Sequence, residues 1–163
     1  MKKPLAVASV VLALLVAATA SAQDAKPNFS GTWNMDAAKS DFGPMPPPDT
    51  LVIVVDHKEP TIKITTTQKS AMGDVNNERT LSTDGKETLN KLRTPVGETD
   101  LKSTSSWDGR KLVTSSHMDI MNETVSYRDV WELSGDGKVL TTVRAGTTTQ
   151  GDFATKIIFN KQP

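Results

Sequence analysis

From residue 51 to the end, apolar and polar residues alternate in short runs separated by turn residues, the period-two pattern of half-buried β-strands. Leu51-Val52-Ile53-Val54-Val55 is apolar on both faces, and Glu59-Pro60 turns it into Ile62-Lys63-Ile64-Thr65-Thr66, which alternates. Further strands are expected over 75–81, in a short run near Leu89, and over 100–107, 112–117, 123–133, 139–145 and 153–159. Asp84-Gly85, Asp108-Gly109 and Gly135-Asp136-Gly137 supply turns between them. Asp-Gly accepts the positive backbone angles that two-residue hairpins need, so adjacent runs should pair antiparallel. A meander of this kind leaves two exposed edges unless it closes. The pattern therefore predicts an all-β fold, an antiparallel up-and-down β-barrel of about 8–10 strands with almost no helix. A sandwich would want long crossovers, which the short turns do not offer.

Ahead of these runs stands Phe29-Ser30-Gly31-Thr32-Trp33-Asn34-Met35. Residues two apart in a strand share a face, so Gly31 leaves a gap for a close neighbour beside the Trp33 ring. Trp33 is expected to plug the barrel base as core. Next, Asp36-Ala37-Ala38-Lys39 fits a single helical turn with Asp36 as its cap. Gly43-Pro44-Met45-Pro46-Pro47-Pro48 is a stiff extended connector that cannot donate to a sheet. A strap across one barrel end is expected; a proline ligand for a partner domain is the alternative.

Residues 1–22 have the three parts of a secretory signal: Lys2 and Lys3, an apolar run over 5–18, and Ala20-Ser21-Ala22 as the small-residue cleavage site. The run falls short of the roughly 20 apolar residues that a membrane span needs. The expectation is a cleaved signal peptide over 1–22 and a single barrel domain over 23–163, beginning at Gln23 and without a transmembrane span. The destination would be the periplasm or the medium.

The 163 residues suit one such domain. Nineteen basic residues face nineteen acidic ones, and loss of Lys2 and Lys3 would leave the mature chain slightly acidic. Phosphate binding needs a basic stripe that this balance does not provide, so nucleic acid is not an expected partner. The absence of cysteine excludes disulfides, thiolate metal sites, thiol catalysis and a lipidated cysteine. Aromatics at 5% point to a thin apolar interior.

Phe29-Ser30-Gly31-Thr32-Trp33 is similar to the Gly-x-Trp first strand of the calycins, the superfamily of lipocalins and intracellular fatty-acid-binding proteins. Trp107-Asp108-Gly109, Trp131-Glu132-Leu133 leading to Asp136-Gly137-Lys138, and Thr155-Lys156-Ile157 in a last strand resemble the fatty-acid-binding branch. The similarity runs over 29–161. Lipocalins add a helix after the barrel, and none fits here. The resemblance implies a barrel with an interior ligand. In that branch inward arginines and a tyrosine hold the ligand carboxylate, and motif matching puts Trp131, Lys156 and Ile158 at their places. One positive charge remains of the cluster, so the resemblance does not extend to a carboxylate clamp. The short turn and proline strap stand where that branch has a helix-turn-helix lid.

Alternation puts Val125, Tyr127, Asp129, Trp131 and Leu133 on one face. A carboxylate among aromatics is costly unless it meets a cation such as Arg79 or Arg144, or a ligand. The plainer alternative is that Tyr127 and Trp131 are core and Asp129 is a solvated or paired structural group. For the last strand two readings disagree. Alternation alone turns Phe153, Thr155, Ile157 and Phe159 inward and Lys156 outward, whereas the resemblance places Ala154, Lys156 and Ile158 inside. The second is preferred here because Ala154 leaves space for a ligand. The candidate ligand-binding residues are therefore Tyr127, Asp129, Trp131, Arg144, Lys156 and Ile158.

His57 and His117 have no metal-ligand partners at useful spacing and are expected at the surface; no metal or cofactor is expected. No nucleophile elbow, phosphate loop or His-Glu-x-x-His occurs, so an enzyme is not expected. Asp129 with Tyr127 or Lys156 as acid and base is the residual catalytic reading. The function expected is an exported lipocalin-like barrel that binds or carries a small apolar or amphipathic molecule. The alternative is a structural or interaction module of the cell envelope with a filled barrel.

Overall fold

The computed structural model describes residues 25–163 except 95–96 and 121–122; the expected signal peptide lies outside the described residues. Ten strands follow one another: β1 (Gly31–Met35), β2 (Thr50–Lys58), β3 (Thr61–Lys69), β4 (Val75–Ser82), β5 (Asp84–Thr94), β6 (Gly97–Asp108), β7 (Lys111–Ile120), β8 (Glu123–Leu133), β9 (Val139–Thr148) and β10 (Gly151–Lys161). They form one antiparallel sheet in the order β4-β3-β2-β1-β10-β9-β8-β7-β6-β5, with first and last strands paired. This is the expected up-and-down barrel. The strand expected near Leu89 is longer than its apolar signal, because the half-buried face of β5 carries Thr88, Asn90 and Thr94 beside Leu92, while Leu89 points outward.

The barrel ladder has one seam among the described residues, between β4 and β5. Two asparagine side chains cross it. Asn90 accepts from the Thr80 N–H (2.7 Å) and donates to the Thr80 carbonyl (3.0 Å). Asn77 does the same to Arg93, at 2.7 and 2.9 Å. Each amide carries a donor and an acceptor, so it can replace a strand partner across a gap one side chain wide.

Apolar residues gather toward one end of the barrel, where Phe29, Trp33, Ile62, Leu112, Leu140 and Phe159 belong to a single buried cluster. Trp33 is fully buried, and its indole N–H donates to the Phe29 carbonyl at 2.9 Å. The neighbour that Gly31 admits is the Lys161 side chain: Gly31 has φ +141°, and a Cβ there would lie 2.6 Å from Lys161 Cε. The Lys161 ammonium then sits 5.2 Å from the Trp33 ring centre.

His57 belongs to this closed end, contrary to the expectation of a surface histidine. It follows Ile53 and Val55 on the inward face of β2 and is 5% exposed. Its Nδ1 accepts from the Phe29 N–H at 3.2 Å, so Nε2 carries the proton toward Glu59 Oε1 at 3.0 Å. Glu59 also accepts from Thr83 Oγ1 (2.6 Å) and Trp107 Nε1 (3.0 Å). The Phe29, His57 and Trp107 rings lie near-parallel in a triangle, with centres 5.8–6.0 Å apart, and Phe29 meets Trp131 edge-on.

The 3-10 turn Ala37–Lys39 forms where expected, but Asp36 does not cap it through its side chain. Its carboxylate instead pairs with Lys39 at 2.9 Å and accepts from Asn160 at 3.2 Å. The proline-rich segment is a strap across the other barrel end, as expected. Asp41 bridges to Lys156 through two backbone bonds of 2.7 Å, and the Asp49 N–H donates to the Lys69 carbonyl at 2.8 Å. Gly43, with φ +57°, lies against the Ala154 carbonyl, where no Cβ would fit.

Candidate functional site

Beneath the strap lies a cavity of about 330 Å³. Phe42, Met45, Pro46 and Pro48 of the strap cover it. Leu51, Ile53, Trp131, Ile157 and Phe159 make an apolar wall. Asn77, Arg79, Tyr127, Asp129 and Arg144 add a polar part to the lining.

The polar part is a consequence of register. Thr114 opposes Asp129, Asp129 opposes Arg144, and Arg144 opposes Thr155. Directly opposed residues are near enough for side chains to meet. Arg144 holds Asp129 with a two-pronged bond, Nε to Oδ1 at 2.6 Å and Nη2 to Oδ2 at 2.9 Å. Its guanidinium carbon lies 4.1 Å from the centre of the Tyr127 ring. Gly146, opposite Tyr127, leaves no space for a Cβ, which would lie 2.5 Å from the Ser126 carbonyl oxygen and 2.7 Å from both Tyr127 Cβ and the tip of the Phe153 ring.

Arg79 reaches the same carboxylate from β4, with Nη1 4.0 Å from Asp129 Oδ2 and the guanidinium 5.9 Å from the Trp131 ring centre. Burial lowers the pKa of Arg79, and the attraction of Asp129 does not make up the difference. For Arg144 burial acts in the same direction, but the charge of Asp129 and its hydrogen bonds outweigh it and hold the pKa above the ordinary value. Both guanidiniums remain cationic. Two cations therefore face one carboxylate. That carboxylate is 2% exposed, and both its oxygens are committed to Arg144.

The remaining polar interior is self-contained. Ser103 bonds Ser116 and Ser105 bonds Thr114, each at 2.8 Å between β6 and β7. Among the described residues, no fully buried side-chain nitrogen or oxygen lacks a hydrogen-bond partner.

Of the candidate residues, Tyr127, Asp129, Trp131 and Arg144 line the cavity. Lys156 and Ile158 do not, which corrects the preferred reading of the last strand. Lys156 is exposed and only its backbone bridges to the strap; Ile158 is half-buried outside the cavity, its N–H donating to Ser40 Oγ at 3.0 Å. The opposite face, Thr155, Ile157 and Phe159, lines the cavity. The physical reason is the greater apolar area of that face, whose Phe159 opposes Leu140. With Lys156 outside, its acid–base pairing with Asp129 is not assembled. Arg79 entered the sequence reading as a counter-ion for Asp129 and stands as a cavity residue besides. The signal was available in the alternation of Val75, Asn77, Arg79 and Leu81 along β4.

No protein-family model matches the chain, and no curated protein matches it. Among solved structures, the zebrafish ileal bile acid-binding protein, crystallised with cholic acid, superposes with a TM-score of 0.49 at 21% identity, over 82% of this chain and 98% of that one.

Proposed function

We propose that the protein is an exported lipocalin-like barrel that binds or carries a small apolar or amphipathic molecule in its interior. The observation that carries this reading is the cavity of about 330 Å³, lined by apolar side chains and by a fixed polar group, the Asp129–Arg144 pair. Its size falls at the lower end of ligand pockets, and a few oriented polar groups in an apolar lining are what such pockets use for specificity. Export rests on Lys2-Lys3, the apolar run and Ala20-Ser21-Ala22. A barrel filled by side chains, serving as an envelope module, is the competing reading, and the cavity speaks against it.

Native mass spectrometry of protein purified from its own source tests the reading. A copurifying small molecule released on unfolding is expected, on a chain beginning at Gln23. Empty protein that also binds no apolar probe would return the barrel to a structural role, and an intact Met1 in a membrane fraction would refute processing.

A further inference from the structure

We propose that Arg79, at the seam between β4 and β5, receives an anionic head of the ligand, which is accordingly an amphipath carrying negative charge. This rests on the ligand-binding reading above and specifies it. Arg144 and Asp129 satisfy each other through two bonds of 2.6 and 2.9 Å, so neither is available to a ligand without breaking that pair. Arg79 is different. Its side chain is 14% exposed, it approaches Asp129 only at 4.0 Å, and it makes no hydrogen bond among the described residues. A guanidinium has five N–H donors. Those of Arg79 are met by cavity space, and the charge they carry is the one that Arg144 leaves uncompensated.

A purely structural account explains this poorly. One cation already neutralises Asp129, and a second buried guanidinium adds desolvation cost where an apolar side chain would pack without it. A ligand anion removes the surplus.

The position of Arg79 says how the ligand lies. Along β4 it falls between Asn77 and Thr80, the two points where asparagine amides span the seam. The side chain starts from the seam but its guanidinium ends beside β8, 4.0 Å from Asp129 and 5.9 Å from the Trp131 ring centre, so the head is placed within the cavity between β4 and β8. The apolar body extends toward Ile53, Ile157 and Phe159. This is a different strand from those where the resemblance would seek a charge. Of the three places it designates, one holds Trp131 and the others hold the outward Lys156 and Ile158.

A matched pair of fluorescent probes tests the proposal: anilinonaphthalene sulfonate, and phenylnaphthylamine, which has the same rings without the sulfonate. Each is titrated against the folded protein, and the readout is the ratio of their affinities at one site per chain. Wild type should prefer the sulfonate by roughly ten-fold or more, the scale of one charge-assisted hydrogen bond in a sheltered site. Arg79→Gln should bring the ratio close to one, Arg79→Lys should restore part of it, and Lys156→Met, on the outer surface, should keep the wild-type value. A wild-type ratio near one overturns the proposal without any variant, and leaves the ligand-binding reading standing. A ratio that survives Arg79→Gln also overturns it, since the anion then sits elsewhere. If Arg79→Gln fails to fold, a ratio unchanged in Arg79→Cys labelled with a neutral, amide-bearing reagent would overturn it equally. Binding of neither probe would remove both the cavity reading and this one.

Discussion

One polar cluster of this barrel caps its closed end and another lines the cavity, and they differ in whether the protein completes them. At the closed end Glu59 accepts from His57, Thr83 and Trp107, and the other nitrogen of His57 accepts from the Phe29 backbone. Burial pushes the Glu59 carboxyl up, but the hydrogen bonds from Thr83, His57 and Trp107 and the charge of Lys26 outweigh it and hold it below the usual carboxylate range. Every partner is supplied from within the chain. Beneath the strap, Asp129 and Arg144 complete each other, while Arg79 brings a charge that nothing in the described interior matches at hydrogen-bond distance. A polar cluster that closes on itself needs nothing from outside; one left with surplus charge beside a cavity keeps donors that an outside anion can meet.

The largest effect should come from the apolar plug of the closed end. Trp33→Ala is expected to cost about 3–5 kcal/mol, the range for large aromatic truncations in cores, measurable as a lowered denaturant midpoint. An unchanged midpoint would mean the ring is not packed, and the closed end would lose its structural standing.

Asp129→Asn tests the other cluster with two readouts of opposite sign. Stability should fall by roughly 3 kcal/mol, because removing one partner leaves buried charge uncompensated. Affinity for an anionic probe should rise, because Arg144 then joins Arg79 as an unmatched cation. Loss of both stability and anionic affinity would show that Asp129 organises the site beyond balancing its charge.

Glu59→Gln should cost less, on the order of 1 kcal/mol, since the side chain is partly solvated and Gln retains some of the hydrogen bonds. Its pH dependence is the sharper measure. A carboxylate held low in the fold stabilises it at pH values above its unfolded range, and that contribution is lost as the pH falls through the folded value. Wild type should therefore lose stability toward acid more steeply than Glu59→Gln. Parallel profiles would show that the closed-end cluster does not depend on the ionised form.

The smallest effect is expected for Lys156→Met, outside both clusters. Stability should change by less than about 0.5 kcal/mol, as for exposed positions without special contacts, and probe affinity should not move. A fall in affinity would bring the lysine back to the ligand and reverse the assignment of the last strand.

Much of the architecture was legible along the chain. Period-two runs and Asp-Gly turns are local properties, and a meander whose consecutive strands pair needs little more to set its order. The Trp33 plug, the strap, and the inward face of Tyr127, Asp129 and Trp131 follow from the same local rules. The face of β10 was legible too: alternation alone turns Thr155, Ile157 and Phe159 inward, and the preference for Lys156 came from the resemblance. β5 was less visible, because its inward positions are mostly polar and lack an apolar rhythm.

What the sequence by itself determined is the alternation within each strand, because side-chain direction in a strand follows from backbone geometry alone. Which alternating faces meet was decided only by the tertiary structure. Arg79 and Asp129 are far apart in sequence, and their distance of 4.0 Å depends on how the barrel brings β4 and β8 together across its interior. The same holds for His57, polar on a local reading, which is buried because Phe29 and Trp107 converge on it from separate segments. Charge balance in a cavity is a sum over strands, and no single strand carries that sum.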